Sequence, residues 1–196
     1  MLVIGIVGPI GAGKTEVLRL LEEHGARTVA ADALSREVLA AGQPALGQVR
    51  EAFGEEFFDA AGNLQRRKLG DLVFRDEAAR RRLDDIVHPL MTAALRRRLE
   101  QWREEGVRVA VVESAVLEEM GARSLVDRVL LVTAPETARL QRLMARDGMG
   151  EEAGRKRLAA HRRLGLDSPT ADYVIDNGGD RDQLRAQVEH LWRRLV

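Results

Sequence analysis

The sequence predicts an α/β fold in which helices cover both faces of a parallel five-stranded sheet. Three observations predict it. Five short apolar runs recur along the chain, at Leu2 to Val7, Arg27 to Ala31, Val107 to Glu113, Arg128 to Thr133 and Tyr173 to Asp176. Helical patterns separate these runs, and strands that alternate with helices pair in parallel. The first run leads directly into GPIGAGKT, Gly8 to Thr15, and then into EVLRLLEEHG with apolar positions at Val17, Leu18, Leu20 and Leu21. A glycine-rich loop between a strand and a helix is the setting in which Gly-x-x-x-x-Gly-Lys-Ser/Thr binds phosphate.

The loop carries the first chemistry. Its glycines permit positive φ and close approach of backbone to a ligand. Successive amides from Gly11 to Thr15, through Ala12 and Gly13, are expected to converge on a β-phosphate at the positive end of the following helix. Lys14 is placed to reach the β- and γ-phosphates, and the Thr15 hydroxyl to sit on Mg²⁺. Pro9 removes one N–H early in the loop, ahead of those amides. The bland alternative, an ordinary strand-to-helix turn, leaves Lys14 and Thr15 without a task.

The elements that follow are read in order. Asp32 comes just after the second strand, at the carboxyl edge where α/β sheets bind ligands. It suits either of two roles: accepting a proton from an attacking hydroxyl, or capping a helix from Ala33 to Leu39. Residues 32 to 101 read as mostly helical, too long for one crossover, and predict a helical subdomain. Within it His88-Pro89 separates two helical patterns, with Pro89 opening the second, which runs to Trp102. His88 either contacts a ligand phosphate or packs. Glu113 ends the third strand, to hold a metal-bound water or to lie solvated. A further helix is expected to begin at Pro135, capped by Thr133 with Glu136 completing a capping box, and to carry Leu140, Leu143 and Met144 on one face. The last helix, from about Asp182, repeats Leu184, Val188, Leu191, Trp192 and Leu195. Trp102 and Trp192 are expected in apolar cores.

The segment from Arg146 to Asp167 has glycines near both ends and little apolar content, and reads as a mobile helical flap. Between Arg139 and Gly165 eight basic residues face three acidic ones, a net of +5. Arg139, Arg142 and Arg146 follow helical spacing and form one ridge. Basic residues over a phosphate loop suit phosphoryl transfer. A solvated face or an RNA patch fits the charge too, but the segment has no aromatic residue for base stacking.

Composition excludes several classes. Acidic and basic residues balance at 31 each over 196 residues, so no general attraction to nucleic acid or to an anionic membrane is expected. Arginine supplies 28 of the 31 basic residues, which a GC-rich genome explains. Cysteine is absent, which excludes disulfides and thiol chemistry. No apolar run approaches the roughly 20 residues of a membrane span, and no signal peptide is expected. A cytoplasmic protein is the expectation.

Assembled in order, these residues resemble the dephospho-coenzyme A kinase family of P-loop kinases. The likeness covers essentially the whole chain: IGIVGPIGAGKTEV, VAADALSREVL, FGEEFFDAAGNLQRRKLGDLVF, LDDIVHPL, RLMARDGM and ADYVIDNGG. The P-loop is common to many families. The ordered set of His-Pro, Arg-x-x-x-Arg-Asp-Gly and Ala-Asp-x-x-Ile-Asp-Asn is far more specific.

The resemblance implies a three-layer P-loop kinase fold in one kinase domain. Its sheet core comprises 1–31, 107–145 and 171–196, its helical acceptor-binding insertion about 32–106, and its lid about 146–170. It implies transfer of the ATP γ-phosphate to the 3′-hydroxyl of dephospho-CoA, with Mg²⁺, by a monomer or small homo-oligomer. Lys14, Asp32 and Arg142 fall on the transfer machinery. Gly8, Gly11, Ala12, Gly13, Lys14, Thr15, Glu16, Arg146 and Asn177 fall on the ATP side, with Asn177 near the base. Asp32, Arg66, His88 and Arg157 fall on the acceptor side, and Thr15 on the metal.

The chain departs from the family pattern in places. Ala30-Ala31-Asp32 stands where Asp-Ala-Asp is usual, and Val7 where serine or threonine is. Ala115 to Glu119 replaces Pro-Leu-Leu-Phe-Glu, and His161 and Asp167 replace a glutamine and a lysine. A kinase for another small acceptor, such as a nucleoside monophosphate, and a weakly active nucleotide-binding paralogue or switch remain the alternatives.

Overall fold

The computed structural model describes residues 1–113, 120–162 and 170–196. The Ala115–Glu119 stretch, Arg163 and Asp167 lie outside the described residues. The chain divides into two compact units. One comprises Met1–Val29, Trp102–Ala115 and Leu125–Val196, the other Ala30–Gln101 and Val116–Ser124.

The first unit is built on a five-stranded sheet. Its strands are β1 (Leu2–Val7), β2 (Arg27–Ala30), β3 (Val109–Glu113), β4 (Arg128–Thr133) and β5 (Tyr173–Asp176), in the order β2-β3-β1-β4-β5. β1 pairs in parallel with both β3 and β4, and β4 with β5. The central strands are buried along almost their whole length, as expected of a parallel sheet covered on both faces. α1 (Lys14–Glu23) and α8 (Arg181–Leu195) lay Val17, Leu18, Leu20, Leu21, Leu184, Val188 and Leu191 against Ile4, Ile6, Val111, Leu130 and Val132. Each such fully buried side chain contributes about 1.5–3 kcal/mol relative to exposure. β5 is an edge strand, and the Gln187 amide covers part of that edge. Its Oε1 accepts from Asp176 N at 3.0 Å and its Nε2 donates to Asp176 O at 2.8 Å, as a neighbouring strand would.

α6 (Glu136–Asp147) and α7 (Glu151–Arg162) form a second, small core of Leu140, Leu143 and Leu158, flanked by Ile10 and Met144. Gly154 brings α7 close to the Leu140 side chain. A Cβ there would lie 2.6 Å from Leu140 Cδ1. The flap that the sequence marks as poor in apolar residues is therefore anchored by one leucine and one glycine.

The second unit holds α2 (Ala31–Val38), α3 (Pro44–Phe53) and α4 (Arg66–Arg75), together with α5 (Glu77–Glu104) up to Gln101. Three local expectations change. α5 is one helix of 28 residues with Pro89 inside it, not two helices meeting at His88-Pro89. Proline in a helix interior costs about 3 kcal/mol. The buried positions Val87, Met91, Ala94, Leu95, Leu99 and Trp102 run past it at helical spacing and offset that cost. α6 takes Pro135 as its N-cap and gains no side-chain cap, so the Thr133–Glu136 capping box does not form. The Thr133 hydroxyl instead donates to Ile175 O across the β4–β5 pair at 3.5 Å. The third strand begins at Val109 and the second ends at Ala30, each narrower than the apolar run suggests. Trp102 is buried, whereas Trp192 is only partly so and stacks on His24 at 5.7 Å between ring centroids.

Candidate active site

The glycine loop takes its shape from elements distant in sequence. Gly8, Gly11 and Gly13 all have positive φ, and each is pressed against a neighbour that leaves no room for a side chain. A Cβ on Gly8 would overlap the Val132 carbonyl oxygen. One on Gly11 would lie 2.8 Å from Arg139 O, and one on Gly13 would overlap Asn177 Nδ2. The Ala12 side chain is buried and its amide donates to Pro9 O at 3.1 Å, which closes the turn and turns that amide away from the cradle. The amides of Gly11, Gly13 and Thr15 donate to no protein group among the described residues. They lie at the N-terminus of α1, whose dipole favours an anion.

A cavity of about 210 Å³ opens over this loop. Gly11, Gly13, Lys14, Thr15, Glu113, Arg142 and Arg146 contribute to its lining. Lys14 Nζ donates to Gly8 O at 2.9 Å and stands 3.9 Å from Glu113 Oε1, so the lysine lies across the loop with a carboxylate beside it. Glu113 is thus neither a bare solvated strand end nor remote from the loop. Thr15 and Glu113, which both line the cavity, carry hard oxygen donors, a donor set that suits Mg²⁺ completed by substrate phosphates and water. Glu16 is turned elsewhere. It pairs with Arg19 at 2.7 Å, and that hydrogen-bonded guanidinium holds its carboxyl below the usual range.

Arg142 is half-buried and ties three parts of the unit together. One terminal nitrogen donates to both Gly11 O and Ala12 O at 3.2 Å, and the other to Asn177 O at 2.7 Å. Asn177 is buried, and its Nδ2 donates to Ala12 O at 2.8 Å. The ridge read from the sequence is divided by environment: Arg139 is buried and lies 4.0 Å from Glu136, Arg142 faces the loop, and Arg146 is exposed.

Arg146 and Arg157 are brought together by a residue that the sequence reading left without a role. Asp147 accepts from Arg146 Nε at 2.7 Å and NH2 at 2.9 Å, and from Arg157 NH1 at 3.0 Å. The two guanidiniums hold its carboxyl below the ordinary aspartate range, Arg146 contributing most. The signal was present in RLMARDGM, where Asp147 adjoins Arg146. Part of the flap's positive charge is also taken up locally, by Arg155 with Glu151 and Lys156 with Glu152.

The remaining predicted residues belong to the second unit. Asp32 is exposed in the first turn of α2, whose N-cap is Ala30 with no side-chain cap, so the capping role is vacant. Arg66 NH2 donates to Leu39 O at 3.0 Å and Arg36 O at 3.3 Å and so closes the C-terminal end of α2. Arg66 also lines a cavity of about 160 Å³ with Leu39, Leu46, Asn63 and Leu64. His88 is half-buried within α5, 3.5 Å from Asp84.

With this geometry in hand, comparison with known proteins is decisive. The family model for dephospho-CoA kinase matches residues 2–183. A dephospho-CoA kinase of Syntrophotalea carbinolica is 40% identical over 196 residues, covering 100% of this chain and 93% of that one. The chain belongs to the dephospho-CoA kinase family. A family member from Corynebacterium diphtheriae is 38% identical and covers 100% of this chain and 98% of its own. Among solved structures, TT1252 from Thermus thermophilus superposes with a TM-score of 0.78 at 29% identity, covering 100% and 98% of the two chains. A shikimate kinase from Bacteroides thetaiotaomicron, at 16% identity and a TM-score of 0.55 with 99% and 98% coverage, shares the fold. Membership of a kinase family makes this chain an enzyme of the P-loop α/β type.

Proposed function

We propose that this chain transfers the γ-phosphoryl group of ATP to the 3′-hydroxyl of dephospho-CoA, giving coenzyme A and ADP, the last step of coenzyme A biosynthesis. The observation that carries the proposal is a family match along nearly the whole chain, joined to a loop whose free amides, lysine and arginine line one cavity. The amides of Gly11, Gly13 and Thr15 bind the β-phosphate. Lys14 leaves the Gly8 carbonyl to bridge the β- and γ-phosphates. Thr15 and Glu113 would hold Mg²⁺, which when bound would supply neutralisation of charge on the phosphate oxygens. Three of the five N–H groups of Arg142 are committed to carbonyls, and the remaining two serve the oxygens of the transferring group.

Asp32 accepts the proton of the 3′-hydroxyl as that oxygen bonds to the γ-phosphorus and the bond from phosphorus to the β–γ bridging oxygen breaks. Arg146 and Arg157 bear on the nucleotide and acceptor from the lid. Arg66 shapes the acceptor pocket beside Leu39, and His88 is assigned to the acceptor side by family resemblance alone.

Incubating the purified chain with Mg-ATP and dephospho-CoA, with AMP and CMP as parallel acceptors, tests the proposal by mass spectrometry of the products. Coenzyme A formed at roughly 1–100 per second supports it. Phosphorylation of AMP or CMP in preference to dephospho-CoA, or no transfer to any acceptor, contradicts it. Asp32→Asn is expected to abolish turnover while ATP binding persists, and near-normal turnover in that variant removes the proposed role of Asp32.

A further inference from the structure

We propose that Asn177 is a positioning residue, which fixes the Arg142 guanidinium and the glycine loop in one geometry and does not read the nucleotide base. The proposal rests on the reading of this chain as an ATP-dependent phosphotransferase. It departs from the place near the base that family resemblance gives Asn177.

Three hydrogen bonds spend Asn177 on the protein itself. Its N–H donates to Thr133 O at 2.8 Å, which fixes it at the end of β5. Its carbonyl accepts from Arg142 at 2.7 Å, and its Nδ2 donates to Ala12 O at 2.8 Å, a contact between residues 165 positions apart. The Ala12 oxygen also accepts from Arg142 at 3.2 Å. A carbonyl oxygen has two lone pairs, so this one is saturated. The result is a closed ring: Asn177 side chain to Ala12 oxygen, Ala12 oxygen to Arg142, Arg142 to Asn177 carbonyl. Gly11 O joins the ring from the loop side.

The residue is 7% exposed, so little of it remains for a ligand. Its amide nitrogen lies against the Gly13 Cα so closely that only glycine fits there. The side chain thus bears on two consecutive loop residues whose neighbouring amides line the phosphate cavity. Removing the Nδ2–Ala12 bond opens the ring and leaves the loop carbonyl tied to β5 only through the Arg142 guanidinium. A displacement of that group by about 1 Å is enough to cost on the order of 100-fold in rate.

Asn177→Asp is nearly isosteric and sets an oxygen against the Ala12 oxygen, while the two backbone bonds remain. Asn177→Ser replaces it if the aspartate variant does not fold. These variants, Arg142→Ala and the double variant are compared with the wild type in three assays. The assays are kcat with Mg-ATP and dephospho-CoA, affinity for ATP and for GTP by calorimetry, and hydrogen exchange of the loop's Ala12 amide, which is bonded to Pro9 O. The expected results are a 10- to 100-fold fall in kcat, an ATP-to-GTP affinity ratio unchanged within twofold, and faster exchange in the loop. In the Arg142→Ala background the Asn177 change is expected to lower kcat by no more than a further twofold, because the two residues act through one ring.

A tenfold or larger change in the ATP-to-GTP ratio overturns the proposal, as do fully multiplicative losses in the double variant or unaltered loop exchange. If the wild type makes no coenzyme A, the proposed function fails, but the affinity ratio and the loop exchange still decide the role of Asn177.

Discussion

The glycine loop and the lid both pack on α6 and are held in opposite ways. The loop is fastened through backbone carbonyls by two half-buried or buried side chains from far along the chain, Arg142 and Asn177. The lid is fastened by side chains that are near in sequence: Asp147 between Arg146 and Arg157, Leu158 against Leu140 and Leu143, and Gly154 against Leu140. Bonds to fixed carbonyls hold a geometry with little freedom, whereas exposed ion pairs contribute at most about 1 kcal/mol and exchange partners readily. The difference suits the two tasks. A phosphate cradle works best when its dipoles are aligned before the reaction. A lid must release its arginines to a ligand and recover them afterwards.

Substitutions sharpen this contrast. The largest expected effect is on the loop side. Arg142→Ala removes a transition-state contact and three carbonyl bonds together, and kcat is expected to fall on the order of 10²–10³-fold. A change confined to KM contradicts that role. Gly13→Ala is next. The αL backbone and the overlap with Asn177 are expected to cost about 1–3 kcal/mol of stability and to weaken ATP binding, read by denaturant unfolding and calorimetry.

On the lid side Leu158→Ala empties a small cluster. A local loss of about 2 kcal/mol is expected, seen as faster exchange in α7 with little change in the global unfolding midpoint. The smallest effect belongs to Asp147→Asn. Its carboxyl is held below the ordinary range, so the Arg146–Asp147–Arg157 tether is complete above that range and is lost only as pH falls through the lowered value. The variant is expected to differ from wild type, within a few-fold in KM for ATP, at neutral pH and still at about pH 4, and to resemble it only well below the ordinary aspartate range. The reverse pH dependence breaks the assignment.

The same division decides what the sequence disclosed. Four of the five strands were legible to within a residue, because buried parallel strands read as unbroken apolar runs. The loop was legible because its glycines, Lys14 and Thr15 are contiguous. The Arg142–Asn177 ring was not, since no local pattern joins residue 12 to residue 177. Pro89 misled because local chemistry argues for a break, whereas the apolar stripe from Val87 to Trp102 is continuous. The Thr133 cap failed because that hydroxyl is drawn to Ile175 in the neighbouring strand. Asp147 and Gly154 were visible as letters, but their roles depend on how α7 packs on α6.

The loop is built before nucleotide arrives, and hydrogen exchange on the free protein tests this most directly. Slow exchange of the Ala12 amide, which is bonded to Pro9 O, that changes little when ATP binds, with α7 gaining protection only when ATP and dephospho-CoA are both present, is the predicted result. An Ala12 amide that exchanges freely until ATP orders it, or an α7 equally protected in all states, would contradict it.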